Sequence, residues 1–220
     1  MPRIFAISDI HGCSKTFEKL LLHELQIRKS DKIYCIGDYI DRGPDSKGVI
    51  DFIISLRASG YNIYTLRGNH EQMMMDSEKS EEDFAHWYTN GGNTTLLSFG
   101  IDLYSEIPAI YKSFFSNTKL CIQTGQYIFV HAGLNFYNND IFEDKEAMLW
   151  IRTFNSYQNA LGTKKLIHGH TPASLEVIVK QQGNCINIDG GCVFAQNSSL
   201  GKLVALNLSN NKFHSIHNCE

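Results

Sequence analysis

No apolar run in this chain approaches the roughly 20 residues that a membrane-crossing helix needs, so a membrane role is not expected. The opening Met1-Pro2-Arg3-Ile4-Phe5-Ala6 reaches Ser8 and Asp9 before any long apolar core develops, which argues against a secretory signal. Neither charge is in excess. Twenty basic against 23 acidic side chains leave a formal −3, without the basic surface of a nucleic-acid binder. No Cys-x-x-Cys pair is present, which removes the usual structural zinc sites. Of the six cysteines, Cys35 lies in Ile33-Tyr34-Cys35-Ile36 and Cys121 between Leu120 and Ile122, settings in which a free thiol acts as a small hydrophobe. Reduced thiols in a cytoplasmic protein are the expectation. The Asn-x-Ser/Thr sequons at Asn93, Asn197 and Asn207 then carry no meaning. There is no Gly-x4-Gly-Lys-Ser/Thr loop, which excludes a P-loop nucleotide hydrolase. Cys35 and Arg42 miss the five-residue spacing of a thiolate phosphatase. Repeats, low-complexity tracts and proline-rich linkers are absent too, and the 220 residues read as one domain.

What is present is an ordinary globular composition, 43% apolar before glycine is added, and nine histidines. The first seventy residues alternate between strand and helix periods. Ile4–Ile7, Lys32–Ile36 and Tyr61–Leu66 read as short buried strands. Phe17, Leu20, Leu21 and Leu25, with Ser14 as N-cap, and then Val49 to Leu56, recur at helical spacing. Strand–helix–strand–helix–strand calls for a parallel sheet covered by helices. A mostly helical insertion follows at about 76–118. It opens with an acidic run, Glu78 to Asp83, read as a solvated, mobile face, and is helical around Phe84–Leu97 and 106–115. Strands are expected at Lys119–Ile122 and Tyr127–His131, a helix at Lys145–Phe154, and then strands at Leu166–His168, Leu175–Val179, Cys185–Ile188, Leu203–Leu208 and Phe213–Ile216.

The chemistry gathers at strand ends, where open α/β sheets bind ligands. The first strand runs into Asp9-Ile10-His11-Gly12 and the second into Gly37-Asp38-Tyr39-Ile40-Asp41-Arg42-Gly43. The third runs into Gly68-Asn69-His70-Glu71. Later strands end in His131-Ala132-Gly133 and His168-Gly169-His170. Asp-x-His-Gly alone is commonplace, but two carboxylates and a guanidinium in one short loop are not, and packing alone does not produce all five. Imidazole, carboxylate and amide donors without thiolate suit Mn²⁺, Fe or Zn²⁺. So many ligands exceed one ion's needs, so two sites are implied. Two dications ~3.5–4 Å apart repel by about 5 kcal/mol even at the dielectric of water, and a bridging carboxylate must offset this. Asp38, central in the ligand order, is the candidate bridge.

These motifs resemble those of the phosphoprotein phosphatase family of metallophosphatases, specifically its compact bacterial and bacteriophage branch, which lambda phosphatase typifies. The likeness extends to Glu71-Gln72-Met73-Met74, Trp87 to Gly92, Trp150 with Arg152, Gly169-His170-Thr171-Pro172 and Ile188-Asp189-Gly190. The resemblance implies a calcineurin-like metallophosphoesterase fold, a four-layer α/β/β/α sandwich. It implies that Asp9, His11 and Asp38 hold one divalent ion and that Asp38, Asn69, His131 and His170 hold a second, with Mn²⁺ the foremost candidate. His70 is similar to the family's general acid, with Asp41 orienting it. Arg42, Arg152 and Asn69 would face the substrate phosphate. The implied activity is phosphomonoester hydrolysis by metal-activated hydroxide, on phosphoserine or phosphothreonine in a phosphoprotein or phosphopeptide, with phosphotyrosine as a dual-specificity extension. The alternative enzyme is a symmetrical bis(5'-nucleosyl)-tetraphosphatase, which shares the motifs and usually has a longer chain. A phosphoprotein-binding module without catalysis would have a broken ligand set, and no position is broken. His168, His23, His86, His214 and His217 lie outside the set and are given packing or surface roles, as are Cys13 and Met73 to Met75. The small size suggests a monomer.

Overall fold

The structure, a computed structural model, describes residues 2–153 and 160–220. Three short strands, β1 (Ile4–Ile7), β2 (Lys32–Cys35) and β3 (Asn62–Thr65), pair in parallel. The connections are α1 (Ser14–Lys19), continued by one π-helical turn over Leu20–Glu24, and α2 (Ser46–Ala58). Ser14 does not cap α1 as its residue type suggests. It is the first helical residue, and its hydroxyl donates to Asp45 Oδ2 at 2.6 Å. Asp45 is itself the N-cap of α2, accepting from the Gly48 N–H, so the starts of the two helices are tied together. One free N–H near the start of α1, that of Thr16, is satisfied from far away by Glu220 Oε1 at 2.9 Å.

After β3 comes α3 (Asn69–Asp76), then the insertion: α4 (Glu81–Trp87), a π turn at Tyr88–Gly92, α5 (Asn93–Phe99), a 3-10 turn at Tyr104–Glu106 and α6 (Ala109–Ser116). The acidic run is not a loop throughout. Glu81, Glu82 and Asp83 form the first turn of α4, where carboxylates suit the positive end of the helix, and Ser80 caps it by accepting from the Asp83 N–H.

The second sheet is built from β4 (Cys121–Gln123), β5 (Tyr127–Val130), β6 (Lys165–His168) and β7 (Cys185–Asn187), in that spatial order, with only β4 antiparallel to its neighbour. Helix α7 (Lys145–Trp150) precedes β6; the sequence extends it to Phe154, but Ile151 already leaves the helix with extended backbone and residues 151–153 are not helical, while Phe154 itself lies outside the described residues. The chain ends in β8 (Lys202–Asn207) and β9 (Lys212–His217), which complete a five-stranded mixed sheet of order β3-β2-β1-β8-β9. The segment between β6 and β7 corrects the sequence reading. Residues 175–179 form α8 (Leu175–Lys180), not a strand. Ser174 caps it, and of its residues only Ile178 is buried, while Val177 and Val179 are exposed. The β-branched pair suggested a strand, but one inward residue per turn and a good cap decided for helix.

Strand alternation assigns the layers. Phe5, Ile7, Ile33 and Cys35 face helices α1 and α2, where Phe17, Leu20, Val49 and Ile53 meet them. Ala6, Tyr34, Val204 and Leu206 face the second sheet and pack on Phe129, Ile167 and Ile188. Tyr34 and Phe129 stack nearly parallel, centroids 4.2 Å apart. The far face of the second sheet, Ile128, Val130 and Leu166, packs on Met148 of α7. Helix, sheet, sheet and helix therefore succeed one another, as the resemblance implies. Among the described residues no helix is long and apolar enough to cross a membrane. Among the described residues no disulfide is formed.

Candidate metal centre

Four of the five strand-end motifs line one cavity of about 130 Å³, with side chains from both sheets in its wall. Asp9 and His11 follow β1, Asp38 and Arg42 follow β2, and Asn69 and His70 open α3 after β3. His170 and Arg152 come from the side of the second sheet. His131 follows β5 and is fully buried behind them. Two groups of ligand atoms lie close enough to share an ion: His11, Asp38 and His70, and Asp38, His131 and His170. Asp38 belongs to both. Its Oδ2 is 3.4 Å from His11 Nε2 and 3.4 Å from His131 Nε2.

The backbone that delivers these groups is unusual. His11, Asp38, Asp41, Arg42 and His170 all have left-handed φ, between 47° and 70°. A non-glycine residue rarely adopts this conformation, and it concentrates at functional turns. Glycines give the carboxylates room. A Cβ on Gly68 would collide with Asp38 Oδ1, and one on Gly169 with Asp9 Oδ1. Glu71, fully buried, fixes the second motif by accepting from the Asp38 and Gly68 N–H groups with Oε2 and from the Tyr39 N–H with Oε1.

Hydrogen bonds to carbonyls settle which imidazole nitrogens carry lone pairs. His11 Nδ1–H donates to Ile40 O at 2.9 Å and His131 Nδ1–H to Ile36 O at 3.1 Å, leaving each Nε2 as an acceptor turned to the cavity. Burial lowers His11 to about 3 and His170 to about 3, and pulls His131 down as well, so these rings are held neutral. Asn69 Oδ1 stands 2.9 Å from His131 Nε2 and 3.0 Å from His170 Nδ1, and those two nitrogens are 3.2 Å apart. Three acceptor atoms with at most one proton among them are poorly matched as a hydrogen-bond network and well matched to a cation. At the other side Arg42 Nη1 donates to His11 Nε2 at 2.9 Å, a positive group where the resemblance implies a metal. Asp9 accepts from the His170 N–H with Oδ2, while its Oδ1 is buried without a partner. Neutral imidazoles, an amide oxygen and converging carboxylates fit divalent ions of the Mn²⁺, Fe and Zn²⁺ kind. Burial works against ionised Asp38, but His131, His70 and His11 outweigh it and hold its carboxyl far below the usual range.

Next to this floor is a second unit. His70 Nδ1 hydrogen-bonds Asp41 Oδ2 at 2.7 Å. Asp41 also accepts from Trp87 Nε1–H and from Thr95 Oγ1–H at 2.6 Å, both from the insertion, while its own N–H donates to the Thr95 and Ser46 hydroxyls. Burial opposes a charged His70, but the Asp38 charge and the Asp41 hydrogen bond prevail and hold its pKa above the ordinary value. Arg42 and Arg152 sit at the rim, Arg152 Nη1 donating to His170 O at 3.2 Å. His168 does not line the cavity, and Cys13 is buried away from it with Sγ 3.5 Å from His11 O.

Sequence reasoning gave no role to Thr95, to Glu71 as a brace of the Asp38 loop, or to Asp189 and Phe194 in the cavity wall. Glu71 stands three residues after the Gly68 cap, a capping-box position that could have flagged it. Asp189 closes a strand-end motif just as Asp9 does. Thr95 carries no local signal, since only tertiary folding brings it to Asp41.

Comparison with known proteins agrees with this geometry. A Salmonella typhimurium protein named serine/threonine-protein phosphatase 1 is 27% identical over 206 residues, spanning 91% of both chains. A symmetrical bis(5'-nucleosyl)-tetraphosphatase of Buchnera aphidicola is 44% identical over 102 residues, which is 44% of this chain and 36% of that protein, so the match spans about a third of that relative's length. A crystal structure described as a putative diadenosine tetraphosphatase superposes with a TM-score of 0.66 at 19% identity, covering 100% of this chain and 97% of the other, a likeness of fold. The model of the calcineurin-like phosphoesterase family matches residues 2–202, and the chain belongs to that family.

Proposed function

We propose that this phosphoesterase is a serine/threonine protein phosphatase of the compact bacterial and phage type, one catalytic domain whose helical insertion braces the acid. The observation that carries the reading is the union, in one small cavity, of convergent unprotonated donors, two arginines and a buried His70–Asp41 pair. Asp9, His11 and Asp38 would hold one divalent ion and Asp38, Asn69, His131 and His170 another; Mn²⁺ is our choice, and the pair supplies Lewis-acid charge and makes water acidic enough to attack near neutral pH.

The chain's own groups do the rest. Arg42 and Arg152 neutralise the non-bridging phosphate oxygens and orient the ester, with Asn69 at the same wall. Asp41 holds His70 by Nδ1, so its Nε2–H is the one offered to the cavity. As the P–O bond breaks, that proton passes to the leaving alkoxide, and water supplies the oxygen of the released phosphate. The carboxylate partner, itself held by Trp87 and Thr95, keeps the imidazolium charged until transfer.

The match to the Salmonella phosphatase over 91% of both chains supports protein substrates, and the stronger local identity to the tetraphosphatase supports diadenosine tetraphosphate as the second reading. A paired assay separates them: phosphate release from a phosphoserine peptide against ADP formation from diadenosine tetraphosphate. Faster ADP formation would overturn the first reading. Metal-dependent hydrolysis of p-nitrophenyl phosphate, abolished by chelator, tests catalysis itself.

A further inference from the structure

The cavity contains a third carboxylate that these roles leave unused. Asp189 follows β7, is 2% exposed, and lines the wall with Asp9 and Asp38. Its Oδ1 accepts from the Gly191 N–H at 2.8 Å, and among the described residues it forms no ion pair. Its backbone is pinned on both sides. The Asp189 N–H donates to Asn187 Oδ1, and its carbonyl accepts from the Ala173 N–H, each at 2.9 Å. A Cβ on the following Gly190 would strike Lys202 O. The carboxylate is thus placed rigidly, as a group that must meet a ligand at a fixed position is placed.

Its charge has no ion-pair partner among the described residues, and Arg42 and Arg152 favour it only from a distance. Arg42 is engaged with His11 Nε2 and Arg152 with His170 O. Three buried carboxylates facing one cavity repel, and a buried charge without compensation is strongly destabilising. The unpartnered Asp9 Oδ1 lies on the same wall. A divalent ion beside Asp9 would turn this repulsion into attraction. Two dications against Asp9, Asp38, Asp189 and the attacking hydroxide would leave about zero, and Arg42 and Arg152 would raise this to about +2, still suited to a phosphate dianion.

We infer that Asp189 is a positioning residue of the metal floor, whose negative charge strengthens retention of the divalent ion on the Asp9 side of the centre. This rests on the dinuclear reading above. The competing role is structural: support of the 189–191 turn through the Gly191 N–H. Asp189→Asn separates the two, because the amide oxygen keeps that acceptor and the charge is lost.

The experiment is Mn²⁺ titration of the metal-free full chain by calorimetry, with melting curves in chelator and in Mn²⁺. Asp189→Asn should weaken one of the two Mn²⁺ sites about tenfold or more and leave the other within about threefold. Its metal-free melting temperature should equal or exceed that of the original chain, because one repelling charge has gone, and the gain on adding Mn²⁺ should shrink. Asp189→Glu should recover part of the lost affinity. Unchanged Mn²⁺ affinities for Asp189→Asn, or a melting temperature lowered equally with and without Mn²⁺, would assign the turn role and overturn the inference alone. If Asp189→Asn does not fold, a Glu variant with undiminished affinity supports the charge role, and one with affinity reduced to background overturns it. An unsubstituted chain that binds no Mn²⁺ would overturn this inference and the dinuclear reading together.

Discussion

The two sides of the centre are made differently. The side around Asp9, His11, Asp38 and His70 is wired by the loops of the five-stranded sheet and by the helical insertion that follows β3. Glu71 braces the Asp38 turn, Ile40 O orients His11, and Trp87 with Thr95 fixes Asp41. The side around Asn69, His131 and His170 exists only because two sheets meet. Its orienting bonds cross between them, His131 Nδ1–H to Ile36 O and the His170 N–H to Asp9 Oδ2. One half depends on those loops and the insertion, and the other on the packing of Tyr34 against Phe129 and its neighbours. Damage to the sheet interface should therefore be felt unequally by the two halves.

The substitution with the largest effect erases that distinction. Asp38 faces both groups of donors, so Asp38→Asn should lose both ions and reduce turnover to background. Metal content by mass spectrometry checks it, and a variant holding two ions would contradict the bridge. His70→Asn should act on one side only. Both ions stay, and turnover of an alkyl phosphate falls by about 10²- to 10⁴-fold. With p-nitrophenyl phosphate, whose leaving group needs little protonation, the loss should be much smaller. Equal losses on the two substrates would remove His70 from the acid role.

Phe129→Ala addresses the interface itself. The ring is fully buried between the sheets, and its removal should destabilise the chain by about 3–5 kcal/mol. The site built from His131 and His170 should weaken before the other. Equal weakening would show that the two halves behave as one unit. Arg3→Ala is the smallest, a remote reference. Arg3 pairs with buried Asp31 at 2.6 Å, and its loss should cost about 1–3 kcal/mol without changing turnover. Burial pushes the Asp31 carboxyl up, but the Arg3 hydrogen bonds and the Arg28 N–H outweigh it and hold it below its ordinary value. That stabilisation is complete above the unfolded carboxylate pKa of about 4 and is lost as pH falls through the lower folded value. Melting curves of the two chains should then converge in acid; an undiminished gap there would refute the ion pair as its source.

Much of this was legible before folding was considered. Buried strands ending in Asp, His or Asn beside glycine are a local signal, and the structure places four of the five such motifs on one cavity with His131 of the fifth against Asn69 and His170. Strand order in the second sheet and the helix at Leu175–Lys180 were not legible, because Val177 and Val179 satisfy strand propensity while the Ser174 cap and Ile178 favour a helix. The Thr95 and Trp87 bonds to Asp41 join residues 54 and 46 positions apart, and no periodicity records such a meeting.

The left-handed backbone at His11, Asp38, Asp41, Arg42 and His170 has a further consequence. At roughly 1–2 kcal/mol each, five such residues consume a large share of the ~5–15 kcal/mol by which a folded chain is stable. Glycine would relax every one of them and remove a functional side chain each time. Selection for heat resistance, applied without regard to activity, would find its easiest gains at the positions the chemistry can least spare. Robust and inactive descendants should therefore be only a few substitutions away.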